Sequence, residues 1–207
     1  MSTWKDITIE KYDRIARLQS ENLGEVDLIA AVIAVLDGVT VKTVEEMPYA
    51  TLLLKSRGLR FLNSNPLPSI VRKSYTLNGK KYIPTLNPAE LTTAQYIDFQ
   101  VRAVDAPDDL AGLLSVLLIP EGFKYNDGYS SDDVREAIYK YMPIEDAMGL
   151  SAFFFALWKM SIRRLLRENR KSCRLLKGKK NRTEAENELL TAMEKLIKTI
   201  EEAQKYF

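Results

Sequence analysis

Nine cations gather in one stretch of the chain. Arg163, Arg164, Arg167, Arg170, Lys171 and Arg174 recur at helical spacing, and Lys177, Lys179 and Lys180 follow. Side chains three and four apart share a helix face. A row of guanidinium and ammonium groups neutralises phosphates and gives salt-dependent nucleic-acid binding. Aromatic residues that would stack bases are missing from the band, Trp158 being the nearest. No DNA- or RNA-reading motif accompanies it. The same band fits a solvated helix end whose cations favour the C-terminal dipole. It equally fits docking on an acidic protein surface.

Other chemistry is narrowed by what the sequence lacks. There is no histidine, and Cys173 is the one cysteine. A Ser-His-Asp triad, a Cys-His dyad, a His-ligated metal and a zinc finger are therefore all excluded. A disulfide within the chain is impossible, which points to a reducing compartment. Cys173 stands among Arg170, Lys171 and Arg174 but lacks the usual base, so it reads as an inert thiol. Carboxylates cluster at Asp105, Asp108 and Asp109, at Asp127, Asp132 and Asp133, and at Glu145 and Asp146. Each cluster falls where a helix begins, and acids there favour the positive end of the helix dipole. Asp127-Gly128-Tyr129 lacks the alternating ligands of a calcium loop. No Gly-rich phosphate loop occurs. The sequence thus assigns no catalytic residue, no cofactor and no metal site.

The second feature is hydrophobic. Leu190, Met193, Ile197, Ile200, Gln204 and Phe207 alternate three and four apart, flanked by Leu189, Leu196 and Ala203. This is a coiled-coil-like seam. Such a helix pairs with a copy of itself, pairs with another subunit, or folds back on its own chain. An apolar residue as far along as Phe207 favours a partner. Phe153-Phe154-Phe155, with Leu157 and Trp158, covers most of a helix circumference. An all-round apolar helix is central core, or becomes buried on assembly.

These residues sit in a chain of 207, 46% hydrophobic and 28% charged, enough for one domain with or without an appendage. Its formal net charge of +2 conceals a division. Residues 1–158 carry −5, residues 159–182 carry +10, and residues 183–207 carry −3. The opening residues are charged and lack a signal-peptide core. The longest apolar run, Ala147 to Leu157, is too short to span a bilayer, so no membrane role is expected.

Periodicity and punctuation predict a mostly helical α+β body. A first helix runs from Ile9 to about Leu18. Asp27 to Leu36 is nearly all apolar and reads as a fully buried helix ending at Gly38. Thr43 and Glu46 form a capping box before a helix carrying Tyr49, Leu52, Leu53 and Leu54. Asn78-Gly79 is a hairpin turn, which places two strands over about 70–85. A lone hairpin is marginal, so it must pack on a helix or join another sheet. Thr92 to Gln95 and Thr183 to Glu186 are further capping boxes. Helices are expected after Thr92, from about Asp108 through Leu118, over Ser131–Lys140, and from Ile144 to about Arg170. The expected organisation is a body over 1–170, a basic linker over 171–182 and a C-terminal amphipathic helix over 183–207.

The order of elements also resembles a known group. Trp4-Lys5-Asp6-Ile7-Thr8-Ile9-Glu10-Lys11-Tyr12, Leu36-Asp37-Gly38 and Val44-Glu45-Glu46-Met47-Pro48-Tyr49 come first. Leu77-Asn78-Gly79-Lys80-Lys81-Tyr82, Leu91-Thr92-Thr93-Ala94-Gln95-Tyr96-Ile97-Asp98-Phe99-Gln100 and Leu117-Leu118-Ile119-Pro120-Glu121-Gly122 follow. Over about residues 4–160 this is similar to small tail-assembly and virion proteins of tailed bacteriophages, including the gut crAss-like type. It resembles the tail-assembly-chaperone kind most closely. The resemblance implies a non-catalytic protein in a virion or host cytoplasm, forming homo- or hetero-oligomers with other phage structural proteins. It brings no catalytic residues, and the basic band and last helix lie outside it.

Overall fold

The computed structural model describes residues 3–179 and 181–203, without the side chains of 88, 157–165, 196 and 199–203. The chain is α+β and mostly α. Its contacts divide it into a first unit ending at Phe153 and a second beginning at Phe154.

The first unit is organised around a helix that is apolar on two sides. α1 (Ile9–Ser20) is capped by Thr8, and α2 (Glu25–Asp37) ends at Gly38, whose φ of 68° lies in the left-handed region that glycine tolerates. Every residue from Ala30 to Val35 is buried. Ala30, Ile33 and Ala34 pack with Val44 of α3 (Val41–Glu45), while Val32 and Val35 pack with Ile15 of α1. This two-sided burial explains the unbroken apolar run. Lys11 reaches across to donate to the Leu36 carbonyl at 2.8 Å, satisfying an orphan acceptor at the end of α2. The expected box at Thr43 is not the cap. Thr40 accepts from the Thr43 amide, so α3 begins three residues earlier. α4 (Tyr49–Ser56) continues into a 3-10 turn over Arg57–Asn63. Buried Trp4 donates to the Ser64 carbonyl and stands edge-on to Tyr12 and Phe61, fixing the N-terminal segment against that turn.

The hairpin forms, but it is smaller than expected and not alone. β1 (Tyr75–Leu77) pairs antiparallel with β2 (Lys80–Pro84) across Asn78 and Gly79, whose φ values of 47° and 74° fit the two-residue turn. β2 then pairs with β3 (Leu118–Pro120), giving a three-stranded sheet in the order β1-β2-β3. The helix expected to run through Leu118 stops at Leu117, and Leu118 adopts extended geometry to join the sheet. Residues 70–74 are not strand. They belong to a segment fastened to the start of α8 (Ile144–Gly178). The Ser69 amide donates to the Glu145 carbonyl at 3.0 Å, its hydroxyl donates to buried Asp146, and Arg72 pairs with Asp146 at 3.3 Å. These bonds take the place of strand pairing.

α5 (Thr93–Asp105), α6 (Leu110–Leu117) and α7 (Ser131–Tyr141) complete the first unit. Residues 111–118 are all buried, with α6 lying between α5 and α7. Ile7 and Ile9 bracket a short bridge to Pro143, closed by Ile9 to Met142 and Ile144 to Ile7 backbone bonds.

In the second unit, α8 continues to Gly178, and α9 (Glu184–Ala203) follows. The segment 171–178, expected as linker, is therefore helix. Leu175, Leu176 and Lys177 are good helix formers, and nothing before Gly178 interrupts them. Only a short connection separates α8 from α9.

Candidate functional site

α5 has two opposed faces, and its first turn decides which one turns outward. Thr92 accepts from the Gln95 amide at 3.2 Å, and the Gln95 side-chain oxygen accepts from the Thr92 amide at 3.0 Å. The other end of the Gln95 amide donates to the Val116 carbonyl at 3.1 Å. That carbonyl lies in the last turn of α6, where helical partners run out. One buried glutamine thus caps α5 and fixes its rotation against α6. Phe99 and Ala103 follow Gln95 inward at spacings of four. Gln95→Leu keeps the volume but removes the side chain's bonds to Thr92, Thr85 and Val116, leaving the Thr92 donor and the Val116 acceptor unmet. We expect it to cost about 2–3 kcal/mol, read as a lower denaturation midpoint with an unchanged slope.

With that face fixed, Ile97, Val101 and Val104 turn outward. They are 52%, 51% and 72% exposed, and lie on the side of α5 opposite Gln95, Phe99 and Ala103. Their spacing of four and three puts them within about 60° of arc. The sequence places a helix after Thr92 without separating this second row from the buried one. Its signal was available: α5 carries apolar residues at two offsets instead of one. A further apolar display lies on the fastened segment before β1, where Leu67 and Ile70 are exposed although Ser69 and Arg72 are pinned.

Several titratable groups of the first unit are engaged structurally. Tyr125 donates to Asp98 at 2.6 Å; burial, then that carboxylate, pushes its hydroxyl well above the usual tyrosine range. Asp109 caps α6 through the Gly112 amide and holds Arg135 at 2.7 Å. Burial raises the Asp13 carboxyl, with Arg17 opposing and Asp109 adding. Of the acidic clusters, Asp109, Asp132, Asp133, Glu145 and Asp146 sit at helix starts, whereas Asp105 ends α5 and Asp127 lies in the loop before α7. No group of three metal-ligating side chains occurs among the described residues. No helix there is long and apolar enough to cross a membrane.

The second unit holds the two features the sequence singled out, and they meet. α9 runs back along α8: Lys179 pairs with Glu186, and Lys177 with Glu194 at 2.7 Å. The Glu194 carboxylate holds Lys177 above the usual lysine range. The capping box at Thr183 and Glu186 forms as expected, with bonds of 3.0 and 3.3 Å. Part of the basic band therefore rests on an acidic helix of its own chain. Arg167, Arg170, Lys171, Arg174, Lys177 and Lys179 are exposed. The side chains of Arg163 and Arg164, and all of Lys180, lie outside the described residues. On α9, Leu190, Met193 and Ile197 are half-buried and Leu189 is exposed. The Ile200 side chain and Phe207 lie outside the described residues. Of the aromatic run, Phe154 is buried and Phe153 reaches the surface, while Leu157 and Trp158 have no described side chains.

Between α8 and α9 lies a groove of about 310 Å³, lined by Arg170, Cys173, Arg174, Lys177, Glu194, Ile197 and Lys198. Cys173 is buried there as a free thiol. The band and the seam, treated as separate features in the sequence, supply opposite walls of one groove. No family model, curated protein or solved structure matches the chain.

Proposed function

We propose that the chain is a non-catalytic structural or assembly protein of a tailed bacteriophage, working in tail, neck or portal-vertex assembly through protein–protein contacts in the virion or host cytoplasm. The observation that carries the contact role is the row Ile97, Val101 and Val104. It is apolar and contiguous, and it faces away from the core that α5 already covers. Burying what remains exposed of these three side chains contributes roughly 3–5 kcal/mol, a gain open to a partner that covers them. The phage setting rests on the sequence resemblance over residues 4–160. The partners in this reading are phage structural proteins or further copies of the chain. The test is mass spectrometry of purified particles together with the solution mass of the purified chain. Peptides of the chain in the particles, or a solution mass above the monomer, are expected. A strict monomer that joins neither particles nor assembling intermediates would rule the reading out.

A further inference from the structure

We propose that the groove between α8 and α9 binds the phosphate backbone of a nucleic-acid strand through Arg170, Arg174, Lys177 and Lys198. This site is independent of the α5 face, since every described residue that lines it belongs to the second unit. Among the described residues, four cations and one carboxylate line it. Arg170, Arg174 and Lys177 stand on α8 at spacings of four and three, advancing about 6 and 4.5 Å along the axis. Lys198 faces them from α9. Guanidinium forks suit phosphate oxygens, which they hold with two parallel bonds.

Two observations favour a strand over a small anion. The positive surface extends past the groove, since Arg167 and Lys171 are exposed on the same helix without lining it. The stretch 159–182 carries +10, far more than one small ligand needs. Glu194 is a built-in competitor at Lys177: it holds that ammonium at 2.7 Å, and an incoming phosphate takes its place there. No aromatic residue lines the groove among the described residues, so contacts go to the backbone and carry no sequence information.

The experiment measures binding of a labelled single-stranded oligonucleotide to the full chain, with a duplex of equal length, inorganic triphosphate and polyglutamate as competitors. Three to four neutralised phosphates give a salt slope of about −2 to −3, or a roughly 20- to 50-fold loss of affinity between 50 and 200 mM salt. Arg170→Gln with Arg174→Gln is expected to weaken binding at least 10-fold and to flatten that slope. Glu194→Gln is expected to strengthen binding several-fold, a gain that misfolding cannot produce. Cys173, the one cysteine, provides an internal reporter: bound oligonucleotide is expected to slow its reaction with a thiol reagent severalfold. Salt-independent binding, unchanged affinity in both variants, or an unchanged thiol rate at saturation would overturn the proposal. Polyglutamate competing as well as the oligonucleotide would overturn it in favour of an acidic protein partner. Triphosphate competing equally at equal charge would overturn it in favour of a small anion.

Discussion

Gly149→Ala is expected to destabilise the first unit by about 2–4 kcal/mol, against the usual sign of this exchange in a helix. Alanine at an ordinary helical glycine gains up to about 1 kcal/mol, because glycine leaves more backbone freedom to lose. At Gly149 a Cβ would overlap the carbonyl oxygen of Ser69 and stand 3.1 Å from its amide nitrogen. Those atoms are backbone, and they are not free to move. The Ser69 amide is bonded to Glu145, its hydroxyl to Asp146, and Arg72 pairs with the same carboxylate. Accommodating a methyl group means lifting the segment off α8 and breaking that set of bonds, and overpacking of this kind costs about 1–3 kcal/mol before the lost bonds are added. For a chain of this size the melting temperature should fall by roughly 5–12 °C. Gly58→Ala is the control, because nothing lies within 4 Å of a Cβ there. It should be neutral or slightly stabilising. A Gly149→Ala protein as stable as the parent would show that the segment carrying Leu67 and Ile70 is not held as described.

Ile97→Glu with Val101→Glu is expected to have the converse profile, a loss of association with no loss of fold. Both positions are about half exposed and point away from the core of the first unit. Glutamate is a better helix former than isoleucine or valine, so the isolated chain should be as stable as before or a few tenths of a kcal/mol more so. In an interface the same two carboxylates would be desolvated without partners. Central interface positions of this kind cost 2 kcal/mol or more, so association should weaken by at least about 30-fold. Velocity sedimentation across a concentration series, paired with thermal melts, separates the two effects. Unaltered association in the double variant would place the contact elsewhere on the molecule.

Much of the fold could be read from local chemistry. The buried α2 followed from an apolar run ended by Gly38, the hairpin turn from Asn78-Gly79, and the starts of α5 and α9 from their capping boxes. The misread elements depended on distant partners. β3 is three residues long and follows a helix directly, so only its pairing with β2 distinguishes Leu118 from a helical leucine. Residues 70–74 have no local reason to avoid the strand; they are drawn off by Asp146, more than seventy positions later. The end of α8 was misplaced because basic residues and a glycine resemble a linker, whereas pairing with α9 supplies them with acids. Of the candidate sites, the basic band and the seam were both visible, but their meeting in one groove was not. The row on α5 was hidden by its more conspicuous neighbours, Tyr96 and Phe99.

The most direct test of the assembly role is a photo-reactive residue at position 101, introduced into the full chain in cells where particles are being built. Irradiation and mass spectrometry are expected to recover adducts between position 101 and a particle protein or a second copy of the chain. The same probe at Glu136, exposed on α7, should give far fewer. Equal and sparse adducts from both positions would contradict the account, because Val101 would then face solvent throughout assembly.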